Sequence, residues 1–162
     1  MKNYAFIDGQ NLNLGIRSQG FELDYRKLRL YLKNKYFVDT AFMFLGFVEG
    51  NQKLYTKLQK AGFILVFKPT IAYKRNGAEV VKGNVDAELV LRAAAREFAN
   101  YDKAIIISGD GDFHCLIDFL IEKNKLLLLM TPNHKYSGLL KQFYGHILVI
   151  TKTIINNIKL DK

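Results

Sequence analysis

Apolar residues in this chain fall into short blocks whose spacing keeps changing. Tyr4 to Ile7, Thr40 to Val48, Phe63 to Phe67, Lys103 to Ile107, Leu126 to Met130 and Ile147 to Ile150 are short apolar runs, most of them rich in β-branched or aromatic side chains. Each reads as a buried strand. Between them apolar positions recur three and four apart. Leu28, Leu32 and Tyr36 predict a helix over Tyr25 to Tyr36, with Asp24 placed to cap it. Further helices are predicted over Asn51 to Lys60, closed by Gly62, over Gly83 to Phe98, over Phe113 to Lys123 and over Tyr136 to Phe143. The tail carries Ile154, Ile155, Ile158 and Leu160, which fit a helical turn or an extension equally.

This alternation predicts an α/β fold, with a mostly parallel sheet of about five to six strands and helices on both faces. One segment breaks the rhythm. Asn76-Gly77 is a favoured pair for a two-residue hairpin turn, because both positions need positive φ. Thr70 to Lys74 and Glu79 to Lys82 flank it as a predicted protruding hairpin, and basic residues Lys68, Lys74, Arg75 and Lys82 are assigned to it, with Tyr73 among them. Residues 1–150 read as one domain and 151–162 as a C-terminal tail.

The two ends of strand runs carry the chemistry. Lys103-Ala-Ile-Ile-Ile-Ser-Gly-Asp-Gly-Asp-Phe113 passes from a core strand into a turn with two carboxylates and a hydroxyl. Asp8 follows the first strand in the same way, with Asn11 one helical turn beyond. Asp86 opens the long Ala-rich helix, whereas Glu88 lies about 200° further round and faces elsewhere. Sites in open parallel sheets form beyond the carboxyl ends of strands, where strand order reverses. If the first and fourth strands flank that reversal, Asp8, Asp86, Asp110 and Asp112 converge, with Asn11 and Ser108 beside them. Taken singly, each acid is also an ordinary cap or turn residue.

Two carboxylates about 4 Å apart repel by roughly 4 kcal/mol at an effective dielectric of about 20. Such a cluster needs protons or a cation. Its donors are all hard oxygens, which suits Mg²⁺ or Mn²⁺ and not zinc. The histidines His114, His134 and His146 show no metal-ligand spacing. Neither a GxxxxGK[ST] phosphate loop nor a GxSxG nucleophile turn occurs, and no acid closes a calcium loop from Asp110.

Charge and composition add a partner. The net charge is +9, from 24 basic and 15 acidic side chains, and a surface so biased suits a polyanion. Lys74, Arg75 and Lys82 are candidates for phosphate contacts and Tyr73 for base stacking. No segment reaches the roughly 18 apolar residues of a membrane span, so no membrane partner is expected. The N-terminus lacks a signal-peptide pattern. The single cysteine, Cys115, precludes an internal disulfide and is expected to be a buried, inert thiol, consistent with a cytoplasmic location.

Phe6-Ile-Asp-Gly-Gln-Asn-Leu12, Lys82-Gly-Asn-Val-Asp-Ala-Glu-Leu-Val-Leu91 and Ile107-Ser-Gly-Asp-Gly-Asp-Phe113 resemble, in order, the three signature blocks of NYN domains, in particular the LabA-like branch of the PIN-like nuclease group. The resemblance extends from Asn3 to about Ile150. It implies a Rossmann-like sheet, a Mg²⁺-binding acidic pocket and cleavage of RNA phosphodiesters. It maps the family's site onto Asp8, Asn11, Asp86, Asp110 and Asp112, with Ser108 beside them. Three functions fit: a metal-dependent ribonuclease, a nucleic-acid-binding or regulatory module with the same pocket but little turnover, and a phosphohydrolase acting on a small nucleotide. A homo-oligomer is compatible with each.

Overall fold

The computed structural model describes the backbone of all residues except Pro69 and Asn84, and the side chains of all except 69–73 and 79–85. Six strands form one sheet: β1 (Asn3–Asp8), β2 (Val38–Gly46), β3 (Phe63–Lys68), β6 (Lys103–Ile107), β7 (Leu126–Thr131) and β8 (Ile147–Val149). Their spatial order is β3-β2-β1-β6-β7-β8, and every neighbouring pair is parallel. The α/β class expected from the alternation is therefore the observed one. β4 (Thr70–Arg75) and β5 (Ala78–Gly83) form a separate antiparallel hairpin. Asn76 and Gly77 at its turn have φ of 52° and 79°, the left-handed pair that a tight hairpin requires.

Strand alternation sorts the core into two layers. Tyr4, Phe6, Ala104 and Ile106 point to one face, where α4 (Val85–Leu91) and α5 (His114–Glu122) cover them with Leu89, Leu116, Ile117 and Leu120. Ala5, Ile7, Ile105 and Ile107 point to the other. There α1 (Gly9–Arg17), α2 (Tyr25–Tyr36), α3 (Gln52–Ala61) and α6 (Lys152–Ile158) bury Leu12, Leu28, Leu58 and Ile155. Strands covered on both faces are continuous apolar runs, as here. Asp24 caps α2, accepting from the N–H groups of Arg26 and Lys27 at 3.0 and 3.1 Å.

Three local expectations need correction. The helix expected over Gly83 to Phe98 is α-helical only to Leu91, and Arg92–Arg96 form a π-helical turn. The buried Tyr101 hydroxyl donates to the Ala93 carbonyl at 2.6 Å, while the Glu97 N–H reaches back five residues to Arg92. The segment expected to be helical from Tyr136 is a 3₁₀ stretch, Gly138–His146, started by Ser137 accepting from the Leu139 N–H. Cys115 is exposed rather than buried, because α5 turns Leu116, Ile117 and Leu120 inward and leaves position 115 on the opposite side. The undecided tail is helix α6, held to the sheet by buried Ile154, Ile155 and Ile158.

Candidate metal centre

The strand order reverses between β1 and β6. β2 and β3 extend to one side of β1, and β7 and β8 to the other side of β6. The chain departs from β1 and β6 in opposite directions, which opens a crevice beyond their carboxyl ends. Asp8 is the last residue of β1 and is almost fully buried. Its Oδ1 accepts from the Asn11 N–H at 3.2 Å, which caps α1. Its Oδ2 accepts from the Ser108 hydroxyl at 3.3 Å. Gly9 follows in a tight place: a Cβ there would lie 2.5 Å from the end of the Leu45 side chain and 3.0 Å from the Phe44 carbonyl oxygen, so neighbours would have to shift.

Ser108, fully buried just past β6, organises the acidic turn. Its Oγ accepts from the Asp110 N–H at 3.1 Å. Asp110 Oδ1 in turn accepts from the Asp112 N–H at 2.9 Å, capping the 3₁₀ turn Gly111–Phe113. Asn11, in the first turn of α1, closes the frame, its Oδ1 accepting from the Gly109 N–H at 2.8 Å.

Asp86 enters from the first turn of α4. One carboxylate oxygen each from Asp8, Asp86 and Asp110 lie within 4.8 Å of one another. These three could hold a metal ion, and among the described residues no other group of three or more acids, histidines or cysteines is so disposed. Asp112, expected as a fourth member, is exposed and adjoins Asp86, to which a protonated Asp86 carboxyl can donate. The histidines take no part in the cluster. His114 stacks on Phe143 at 6.4 Å between centroids.

Electrostatics follow from this crowding. Burial pushes the Asp8 carboxyl above its ordinary range, opposed by the Asn11 N–H, the Ser108 hydroxyl and the charge of Lys68. Asp86 is pushed up to about 6, first by burial and then by the charges of Asp110 and Asp8. Shifts of this kind mark carboxylates whose burial and mutual repulsion outweigh the one cation beside them.

Sequence pattern groups Lys68 with the hairpin. It is instead the last residue of β3, and its ammonium acts on both Asp8 and Asp86. Period two along β3 carried the signal, since Val66 faces the α4 side and Lys68 must face it too. Of the hairpin candidates, Lys74 and Arg75 are exposed near the turn, while the side chains of Tyr73 and Lys82 lie outside the described residues. A cavity of about 210 Å³ adjoins the site through Asn11 and Gly109 and reaches Asn133 and Lys135, which no sequence pattern indicated.

Residues 3–148 match the family model described as NYN domain. No curated protein matches the chain. Among solved structures, the chain is similar to the crystal structure of a protein of unknown function from Vibrio parahaemolyticus. The two share 23% identity and a TM-score of 0.79, over 98% of this chain and 96% of that one. At that identity the likeness is one of fold.

Proposed function

The chain belongs to the NYN domain family, a PIN-like nuclease family, and on that premise we propose that it is a metal-dependent ribonuclease of the LabA-like branch. The observation that carries the proposal is the meeting of Asp8, Asp86 and Asp110 within 4.8 Å at the switch point of the sheet. An all-oxygen donor set with raised carboxyl pKa values fits Mg²⁺ or Mn²⁺. Asp8, Asp86 and Asp110 would hold the ion, with Asp112 at its outer side. When bound, it lowers the pKa of a water and stabilises charge on the leaving oxygen.

The protein's own groups do the positioning. Asn11 and Ser108 hold Asp8 in one rotamer and fix the loop that bears Asp110. Lys68 supplies positive charge at the rim, where a phosphodiester would approach Asp8 and Asp86. Lys74 and Arg75, with Tyr73 and Lys82, hold the RNA backbone and a base. The excess of basic side chains supports a polyanionic substrate.

A turnover assay tests this reading, with defined RNA, DNA and nucleotide substrates, in Mn²⁺ and in chelator. Chelator-sensitive RNA cleavage is expected. RNA binding without cleavage would favour a binding or regulatory module, and nucleotide hydrolysis alone a small-substrate phosphohydrolase.

A further inference from the structure

The cavity beside Asn11 is walled by chain segments that are fastened to one another. Its lining includes Asn11 and Gly15 of α1, Gly109, and Pro132, Asn133 and Lys135 of the turn that follows β7. Gly15 lets α1 and that turn touch, since a Cβ there would run into the Pro132 ring. The Gln19 carboxamide donates to the carbonyls of Pro132 and Ile150 at 2.8 and 2.9 Å. The Asn133 carboxamide donates to the Ser18 hydroxyl at 3.0 Å and accepts from the Lys135 N–H at 2.8 Å. Ser18 in turn donates to the Gly15 carbonyl at 2.7 Å. The backbone of Lys135 is thereby held at the cavity before any ligand arrives.

What these bonds leave over is a set of donors. Asn11 Oδ1 accepts from the Gly109 N–H and Asn133 Oδ1 from the Lys135 N–H. The Gly109 carbonyl accepts from the Ser137 N–H and the Pro132 carbonyl from Gln19. Only an oxygen can accept from the Gly109 N–H, so the Asn11 amide is fixed with its Nδ2 as the unused end. Among the described residues, neither Asn11 Nδ2 nor Lys135 Nζ has a hydrogen-bond or ion-pair partner. The lining holds one cation and no acid, and its volume of about 210 Å³ is ample for a phosphate group. A base edge presents donors as well as acceptors and would meet acceptors already engaged. A phosphate diester only accepts, and it brings the charge that a lysine lacks.

Asn11 belongs to both places. Its backbone N–H is on Asp8, while its side chain is at the cavity wall. Gly109 shares that wall, and Asp110 is the next residue. We propose that the cavity is a second phosphate subsite, which takes a phosphate adjoining the one at Asp8, Asp86 and Asp110, with Lys135 Nζ and Asn11 Nδ2 as its donors. The proposal rests on the ribonuclease reading and adds to it two contacts that fix where along the strand the acids act. Lys135 neutralises a backbone charge without touching a base edge, so the subsite positions the strand and carries no sequence preference.

The probes are a short RNA and inorganic phosphate, each added in chelator at low salt so that nothing is cleaved and no ion bridges. In heteronuclear NMR spectra, RNA is expected to move the Asn11 side-chain amide signals of the wild type. Lys135→Ala removes an exposed side chain, is expected to melt as the wild type does, and should lose most of that movement. By fluorescence anisotropy, Lys135→Ala is expected to weaken RNA binding roughly threefold or more and to lower the slope of log affinity against log salt by about 0.7. Lys135→Arg should keep both. Lys57→Ala removes an equal charge from a separate groove and should leave the slope unchanged. A wild-type slope in Lys135→Ala, the same loss from Lys57→Ala, or Asn11 signals that RNA leaves in place would each overturn the subsite. Signals moved by inorganic phosphate and not by RNA would overturn its assignment to the strand and make it a site for free phosphate. Cleavage by the wild type in Mn²⁺ is scored separately, so its absence would remove the ribonuclease reading while these binding results still decide the subsite.

Discussion

The Asn11 side chain accepts a hydrogen bond from the Gly109 N–H at 2.8 Å, across 98 residues of sequence. It joins the start of α1 to the turn after β6, so the loop bearing Asp110 is fastened to the strand bearing Asp8. Asn11→Ala leaves that amide without its partner in a half-buried place. A loss of about 1–3 kcal/mol in stability is expected, with a smaller metal-dependent rise in melting. Urea denaturation in chelator checks the first part. Wild-type stability in the variant would show that the bond is incidental.

Metal binding is expected to stabilise the fold by mass action. Millimolar Mn²⁺ or Mg²⁺ raises the melting temperature of the wild type, and Asp8→Asn or Asp110→Asn blunts the rise. Without metal, these substitutions relieve repulsion and are expected to be neutral or mildly stabilising. Thermal scans with and without metal decide it, and equal shifts in all three proteins would argue against the site.

The pH dependence follows from Asp86, whose carboxyl is raised from 3.8 to about 6. In the metal-free protein the native state therefore holds a proton there that the unfolded chain has lost. This contribution to stability is present below about pH 4 and disappears as pH rises through about 6. Asp86→Asn should flatten that part of the profile. Mn²⁺ affinity should move the other way and strengthen across the same window, as the proton leaves. Calorimetric titration at several pH values measures this, and a pH-independent affinity would contradict it.

Cleavage should behave as the work of one unit. Groups that act together are not additive, so Asp112→Ala is expected to lose most activity and added Asp86→Ala to cost little more. RNA binding should survive both, since neither substitution removes a cation and most basic groups lie away from the acids. Wild type, single and double variants, purified identically, are compared in Mn²⁺ and chelator. Equal cleavage by all three would point to a contaminating nuclease.

The exposed tip of the hairpin gives a separate prediction. Removing the charges of Lys74 and Arg75 together should weaken RNA binding and lower the slope of log affinity against log salt, by roughly 0.7 for each phosphate no longer neutralised. An unchanged slope would mean that these side chains are merely solvated.

Much of this architecture is legible along the chain. Strand and helix periods, the Asp24 cap and the Asn76-Gly77 turn are local properties, set by side-chain shape and by neighbours a few residues apart. The acidic positions are legible for a related reason, since a carboxylate directly after a core strand stands at a sheet edge wherever that strand lies. Local pattern does not say which strands are neighbours. Packing placed β1 beside β6, and only that brings Ser108 onto Asp8 and Asp86 into reach of both Asp8 and Asp110. Packing also set Lys68 at the acidic rim instead of on the hairpin, turned Cys115 outward and diverted the Ala93 carbonyl to Tyr101. The energies that decide these matters are burial and hydrogen bonding between residues far apart in sequence. They therefore belong to the folded chain and to no single segment of it.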